Sequence, residues 1–146
     1  MIRIGAAQLE EIRRHAEREY PRECCGLLVG SIEDGGRTRV VSATRAVENA
    51  WEEGETMHRR MRIPPLEYAR AERESAAAGL GVVGNYHSHP EHPAAPSEFD
   101  LRNLAPWPTM SYVIVSVRQG EAADLRSWEL EPDGSRFVEE EIAKGT

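Results

Sequence analysis

The hydrophobic positions in the first third of the chain follow two spacings, one helical and one extended. In residues 6–19 apolar side chains recur every three or four positions, which predicts an amphipathic helix that Pro21 ends. The uncharged run at 24–31 predicts a buried strand, and the run at 37–47, rich in β-branched residues, predicts a second one. The glycine-containing turn at 33–36 joins them, so we expect a β-hairpin.

Further along the chain, irregular and helical patterns follow. Residues 48–58 are polar and irregular, which predicts a loop, and a short strand is predicted at 59–63. Pro64-Pro65 begin a predicted helix that extends to Ala78 and stops at Gly79. Proline is favoured there because the amides of a first helical turn need no partner within the helix.

The second half of the chain contains the clearest strand patterns. Residues 81–89 predict a strand that is apolar at its start and polar at its end, followed by a helix from near Ser97 to before Pro106. The remaining predicted elements are a strand at 111–118 and an antiparallel pair at 123–130 and 135–141. This order predicts one mixed α/β domain over residues 1–146, with a central sheet and helices packed against it.

Charge and length limit the class of partner. A chain of 146 residues suits a single hydrophobic core. Its net charge of −7 argues against a nucleic-acid partner, because phosphate binding needs a clustered positive surface. No apolar stretch is long enough for a secretory signal or a membrane span, so we expect no membrane contact and a cytoplasmic protein. The basic cluster of Arg59, Arg60 and Arg62 allows two interpretations, contact with an acidic partner or ordinary solvated charge.

The only two cysteines, Cys24 and Cys25, are adjacent. Neighbouring cysteines rarely satisfy disulfide geometry, and these lack the spaced partners of a cysteine-rich zinc site. We therefore expect both to be small buried residues at the start of a strand.

Candidate chemistry is concentrated at the polar end of the strand predicted at 81–89. Because side chains alternate along a strand, His87 and His89 project from one face. The helix predicted to begin at Ser97 can carry Asp100 back toward them. Two imidazoles and one carboxylate leave an open position in a tetrahedral shell, which is typical of catalytic rather than structural zinc.

Simpler interpretations of the same residues stay open at this point. Paired histidines at a strand end are also found as ordinary surface residues, and Ser97 with Asp100 fits a helix capping box. His92 lies in the following loop without a motif role. Neither His15 nor His58 has metal-ligand spacing to these residues.

The joint pattern resembles the JAMM (MPN+) metallopeptidase family. His87-Ser88-His89, seven residues, Ser97, two residues and Asp100 match that family's metal motif at every defined position. Residues 21–30, with Glu23 ahead of an apolar run, are similar to the strand that carries the family's catalytic glutamate. Softer similarities at Asn49, Tyr86, Pro90 and residues 112–116 extend the match over most of residues 20–118.

The resemblance implies a fold and a set of residue roles. The fold would be a single JAMM/MPN domain related to the cytidine deaminases. His87, His89 and Asp100 would bind Zn²⁺, and Glu23 would act as the catalytic base. Ser97 would donate a hydrogen bond to the oxyanion. Ser88, on the opposite strand face, would be structural.

The resemblance also implies a substrate class. The family cleaves peptide or isopeptide bonds after the C-terminal tail of ubiquitin-like proteins, and small stand-alone prokaryotic members process sulfur-carrier proteins that end in Gly-Gly. The main alternative is a non-catalytic MPN scaffold, which the complete motif disfavours. A zinc nucleoside deaminase is disfavoured because its His-x-Glu and Pro-Cys-x-x-Cys elements are absent.

Overall fold

A computed structural model describes residues 1–49, 63–103 and 109–145. The strand predicted at 59–63 falls outside these ranges except for Ile63, which belongs to no regular element. Most of the predicted 48–58 loop, His58 and the three-arginine cluster also lie outside the described residues. The helices and strands within them are β1 (Ile2–Ile4), α1 (Ala6–Glu19), β2 (Cys25–Glu33), β3 (Thr38–Val47), α2 (Pro65–Ala76), β4 (Gly81–Pro90), α3 (Glu98–Asn103), β5 (Ser111–Arg118), β6 (Glu121–Leu130), β7 (Phe137–Glu140) and β8 (Ile142–Lys144).

Across the described ranges the strands form one eight-stranded sheet in the order β7-β6-β5-β4-β2-β3-β1-β8. β4 and β5 run parallel, as do β1 with β3 and β1 with β8, while the other neighbours are antiparallel. The mixed sheet flanked by helices confirms the predicted fold class. No helix in the described part of the chain is long and apolar enough to cross a membrane.

The two edges of the sheet are brought together by the C-terminal strands. β7 pairs at one edge and β8 at the other, yet only Glu141 separates them. Arg39 on β3 accordingly reaches β6 and β7, donating to Glu129 at 2.8 Å and Glu140 at 3.4 Å. The sheet is therefore curled rather than flat, as a strongly twisted sheet must be for its edges to approach.

Each face of the sheet carries its own apolar cluster. One cluster joins α1 to the sheet through residues such as Ile12 and Ala16, and the other lies under α2 around Ala71. On the α1 face, Tyr86 lies directly over Gly26, where an added Cβ would come within 2.1 Å of the tyrosine ring. A glycine is needed there because a larger residue would displace the ring and shift β4.

The predicted elements agree with the structure in the middle of the chain and differ at its ends. The helix predicted to reach Ala78 ends at Ala76, and the C-terminal pair is confirmed as β6 and β7. The prediction omitted β1 and β8. Each has three residues, too few to show a periodic pattern, and each is stabilised by pairing with the other.

Candidate metal centre

His87 and His89 lie at the end of β4, which is held between β2 and β5 by backbone pairing. Their alternation along the strand places both imidazoles on one face, as predicted. His87 is fully buried and His89 is 9% exposed. Their Nε2 atoms are 3.0 Å apart, so the two nitrogens with metal-binding capacity point at the same small volume.

Asp100, in the first turn of α3, completes a three-donor group. Its Oδ2 lies 3.2 Å from Nε2 of His89 and 3.5 Å from Nε2 of His87. Two ligands of a tetrahedral zinc, at metal–ligand distances of about 2.0–2.1 Å, are separated by about 3.3–3.4 Å. The three observed separations bracket this value, so the donor set fits such an ion.

The protonation states of the group also suit a metal. Burial lowers the pKa of the His87 imidazole, and the attraction of the Asp100 carboxylate offsets this only in part. For Asp100, burial raises the pKa, but the attraction and hydrogen bonds of His87 and His89 outweigh it and the net pKa lies well below the usual range. A neutral imidazole and an ionised carboxylate are the forms that bind metal.

The tautomer of His89 is set by its loop. Its Nδ1 lies 2.8 Å from the carbonyl oxygen of Pro93. A carbonyl only accepts, so Nδ1 carries the proton and Nε2 presents its lone pair to the centre, an arrangement common among metal-binding histidines. Nδ1 of His87 is buried and has no hydrogen-bond partner among the described atoms.

Glu23 lies two residues before β2 and is buried next to the histidines. Three potential metal-binding atoms lie within 4.8 Å of one another, one from each of Glu23, His87 and His89. These three side chains could therefore hold a metal ion. The sequence-predicted acid is thus brought to the histidines across the β2–β4 pair, where Cys25 is opposite His87.

The peptide unit that follows Glu23 is held on both sides. Its carbonyl accepts a hydrogen bond from Nδ2 of Asn49 at 3.1 Å, and its N–H, that of Cys24, donates to Oγ of Ser88 at 2.8 Å. Ser88 stands between the two histidines but faces the other side of the sheet. Its hydroxyl therefore joins the backbone beside Glu23 to the backbone that carries His87 and His89.

Ser97 and Asp100 form the reciprocal capping box anticipated from their spacing. The Asp100 N–H donates to Oγ of Ser97 at 3.0 Å, and the Ser97 N–H donates to Oδ2 of Asp100 at 2.9 Å. This pair of bonds begins α3 and directs the same carboxylate oxygen toward the histidines. Ser97 itself is exposed.

The remaining candidates lie apart from the centre. His15 bonds to the hydroxyl of Tyr86 at 2.7 Å on the α1 face, and the His92 side chain is exposed. Cys24 and Cys25 are buried free thiols, as expected, and burial raises the pKa of both, that of Cys24 to about 12. Both thiols are therefore neutral and unsuited to nucleophilic chemistry.

Residues that support the centre from β5 and β6 were missed by sequence reasoning. Oγ of Ser116 donates to the His92 carbonyl at 2.6 Å, and Nε1 of Trp128 donates to the Ala94 carbonyl at 3.0 Å. Ser116 falls in a run with only a soft family similarity. Nothing in the sequence pattern indicates Trp128, because its contact depends on the pairing of strands distant in sequence.

Comparison with known proteins shows the family to which this chain belongs. A family model described as prokaryotic homologs of the JAB domain matches residues 5–131, and the chain belongs to that family. The resemblance to the JAMM metallopeptidases is thereby confirmed. A desampylase from Haloferax volcanii is 34% identical over 108 residues, covering 74% of this chain and 72% of the relative. A CysO-cysteine peptidase from Mycobacterium tuberculosis is 32% identical over 127 residues, covering 87% and 81% respectively.

Solved structures agree with this family membership. The solution structure of a protein from Salinibacter ruber is 40% identical, with a TM-score of 0.75, covering 98% of this chain and 91% of that one. The crystal structure of a JAB1/MPN domain protein from Archaeoglobus fulgidus, 18% identical, has a TM-score of 0.58 and covers 99% of both chains. That likeness shows the shared MPN fold.

Proposed function

We propose that this protein is a zinc-dependent metallopeptidase that hydrolyses the peptide or isopeptide bond after the C-terminal Gly-Gly tail of a ubiquitin-like or sulfur-carrier protein. The observation that supports it best is the convergence of Nε2 of His87, Nε2 of His89 and Oδ2 of Asp100, at 3.0–3.5 Å, beside the buried Glu23. Two imidazole nitrogens, a carboxylate and an adjacent acid are the parts that metal-assisted amide hydrolysis requires.

His87, His89 and Asp100 would hold the zinc ion. When bound, zinc supplies Lewis-acid activation of water and of the scissile carbonyl. The hydrogen bond from His89 to Pro93 and the capping bonds of Asp100 keep two of these three side chains oriented in advance. This leaves little reorganisation for metal binding to drive.

Glu23 would act as the general base and then as the general acid. It lies close enough to the histidines to take a proton from the attacking water and later deliver it to the leaving amine. The grouping of Glu23 with His87 and His89 also allows it to ligate the metal directly, and the two roles differ in what happens to bound metal when its charge is removed.

Ser97 would stabilise the oxyanion of the tetrahedral intermediate. Its Oγ already accepts a bond from the Asp100 N–H, which uses a lone pair and leaves the hydroxyl proton to be donated. Capping and oxyanion stabilisation are therefore compatible in one hydroxyl. The exposure of Ser97 on the solvent side of the centre suits a group that meets substrate.

The substrate class is inferred from the relatives and from the motif. The names desampylase and CysO-cysteine peptidase describe proteins that align with this chain across the metal centre. A narrow, extended tail without side chains suits binding along a strand edge by backbone hydrogen bonds. The acidic balance of the chain does not select a partner by charge.

Metal analysis and a cleavage assay test the proposal together. Protein purified without chelator should contain one zinc per chain and should release a C-terminal extension from a carrier protein after its Gly-Gly tail. The matched substrate has Ala-Ala in place of Gly-Gly and should be cut far more slowly. Stoichiometric zinc without turnover on any such carrier would favour the scaffold alternative. Wild-type metal content after replacement of both histidines would reject the site.

A further inference from the structure

The connection between β4 and α3 is fastened by an unusual set of hydrogen bonds. Four consecutive backbone carbonyls, at residues 91–94, each accept a bond from a different side chain. The donors and acceptors are Arg118 to Glu91 at 2.9 Å, Ser116 to His92 at 2.6 Å, His89 to Pro93 at 2.8 Å, and Trp128 to Ala94 at 3.0 Å. A proline-containing loop that cannot join a strand ladder thus has its carbonyls satisfied one by one.

The donors come from three adjacent strands of the sheet. His89 on β4 is opposite Ser116 on β5, and Trp128 on β6 is opposite Tyr112 on β5. The loop is therefore held by side chains whose own positions are set by backbone pairing. One of these four donors, His89, is itself a proposed metal ligand. The position of the loop and the orientation of the His89 imidazole therefore depend on each other.

Trp128 holds Ala94, the residue next to Pro93, whose carbonyl accepts the hydrogen bond from His89. Its indole N–H bonds to the carbonyl of Ala94, a residue only 2% exposed, directly after Pro93. The indole ring packs into the apolar cluster beneath α2, and an indole N–H can only donate. Ala94 also lies three residues before Ser97, so fixing Ala94 limits where the capping box can carry Asp100.

We propose that Trp128 is a positioning residue for the metal centre. Its indole N–H holds Ala94 so that the neighbouring Pro93 carbonyl orients His89 and the chain returns Asp100 to the histidines. This inference rests on the proposed metal site and adds to it a residue outside the metal motif. Ser116 acts in the same way from the other side of Pro93, through the His92 carbonyl.

Trp128→Phe tests this role because it removes the donor and keeps an aromatic ring in the cluster. Zinc affinity is measured by competition with a chromophoric chelator at fixed pH, and the Co²⁺-substituted protein gives an absorption spectrum that reports ligand geometry. Partners that orient metal ligands typically contribute 10–100-fold to affinity. We expect Trp128→Phe to weaken zinc binding by about tenfold or more and to alter the cobalt spectrum.

Ser127→Ala is the matched control. It lies on the same strand, one residue away, and removes a comparable buried hydrogen bond, from Oγ of Ser127 to Glu140 at 2.6 Å. This variant should lose stability without a change in zinc affinity or cobalt spectrum. Ser116→Ala provides a second test if Trp128→Phe folds poorly, and a shift of zinc affinity and cobalt spectrum in the same direction is expected.

The outcomes separate this inference from the proposed function. A folded Trp128→Phe protein with wild-type zinc affinity and cobalt spectrum would show that the indole serves packing alone, while the metal site itself would stand. Equal losses of affinity in Trp128→Phe and Ser127→Ala would also overturn the inference, since the effect would then be one of general stability. Failure of the wild-type protein to bind zinc would overturn both proposals.

Discussion

The proposed metal centre has two halves that are built differently. The strand half consists of His87 and His89 on β4 and of Glu23, two residues before β2; continuous backbone pairing fixes the register of these two strands. Ser97 and Asp100 belong to a loop and a six-residue helix, held by individual side-chain hydrogen bonds. The strand half is positioned by many shared bonds, whereas the loop half depends on a few. Single substitutions away from the centre should therefore disturb the loop half much more easily.

The largest effect is expected when one of the two imidazoles that would bind the metal in the strand half is removed. His87→Ala or His89→Ala should eliminate stoichiometric zinc and all detectable turnover, because each leaves only one imidazole in the shell. Metal analysis by mass spectrometry and the carrier-cleavage assay measure both. His92→Ala, an exposed histidine in the adjoining loop, is the control and should behave like wild type. Retained zinc in both ligand variants would place the metal elsewhere.

Glu23→Gln separates the two possible roles of the third strand-half residue. As a base, Glu23 is needed for turnover and not for metal, so the variant should keep its zinc and lose about 10²–10⁴-fold in kcat. Zinc content and kcat are measured on the same preparation. Loss of zinc in this variant would instead identify Glu23 as a ligand.

Ser97 is the corresponding test of the loop half. Ser97→Ala should lower kcat by about 10²-fold through loss of the oxyanion donor, with a stability cost of about 0.5–2 kcal/mol from the lost cap. Ser97→Asn restores a capping side chain without adding charge. Thermal melts and turnover of the two variants distinguish the roles, and an Asn variant that is both stable and fully active would reject the oxyanion role.

The smallest effect on zinc content and turnover is expected at Ser88, whose hydroxyl joins the backbone beside Glu23 to β4. Ser88→Ala leaves the buried Cys24 N–H without its acceptor, at a cost of about 1–3 kcal/mol in the free energy of unfolding. Zinc content should stay at wild-type level, because neither histidine is altered. Ser88→Thr, which keeps the hydroxyl, should recover most of the stability measured by denaturant unfolding.

Ser111→Ala is the control for that loss. Ser111 is as buried as Ser88, but its Oγ has no hydrogen-bond partner among the described atoms. Its removal leaves no donor unsatisfied and should be close to neutral. Equal destabilisation by the two alanine variants would mean that the Ser88 hydroxyl contributes by volume rather than by its bond to Cys24.

Local sequence patterns predicted the metal-site residues of both halves, but not the residues that hold the loop half in place. Strand alternation placed His87 and His89 on one face, and the motif spacing anticipated the Ser97–Asp100 capping box. Both depend on residues close in sequence. Ser116 and Trp128 could not be found in this way, since their contacts require the register of β4, β5 and β6, which no local pattern encodes. The short strands β1 and β8, which pair with each other although they are distant in sequence, were missed for the same reason.

The pairing of β1 with β8 has a consequence for folding. β1 pairs with β3 on one side and with β8 on the other, and Ile2 is opposite Ile142, near the other end of the sequence. During synthesis the outer backbone groups of β1 therefore stay unpaired until β8 has emerged from the ribosome. Such distant pairing slows folding, and an open strand edge is a template for association between nascent chains.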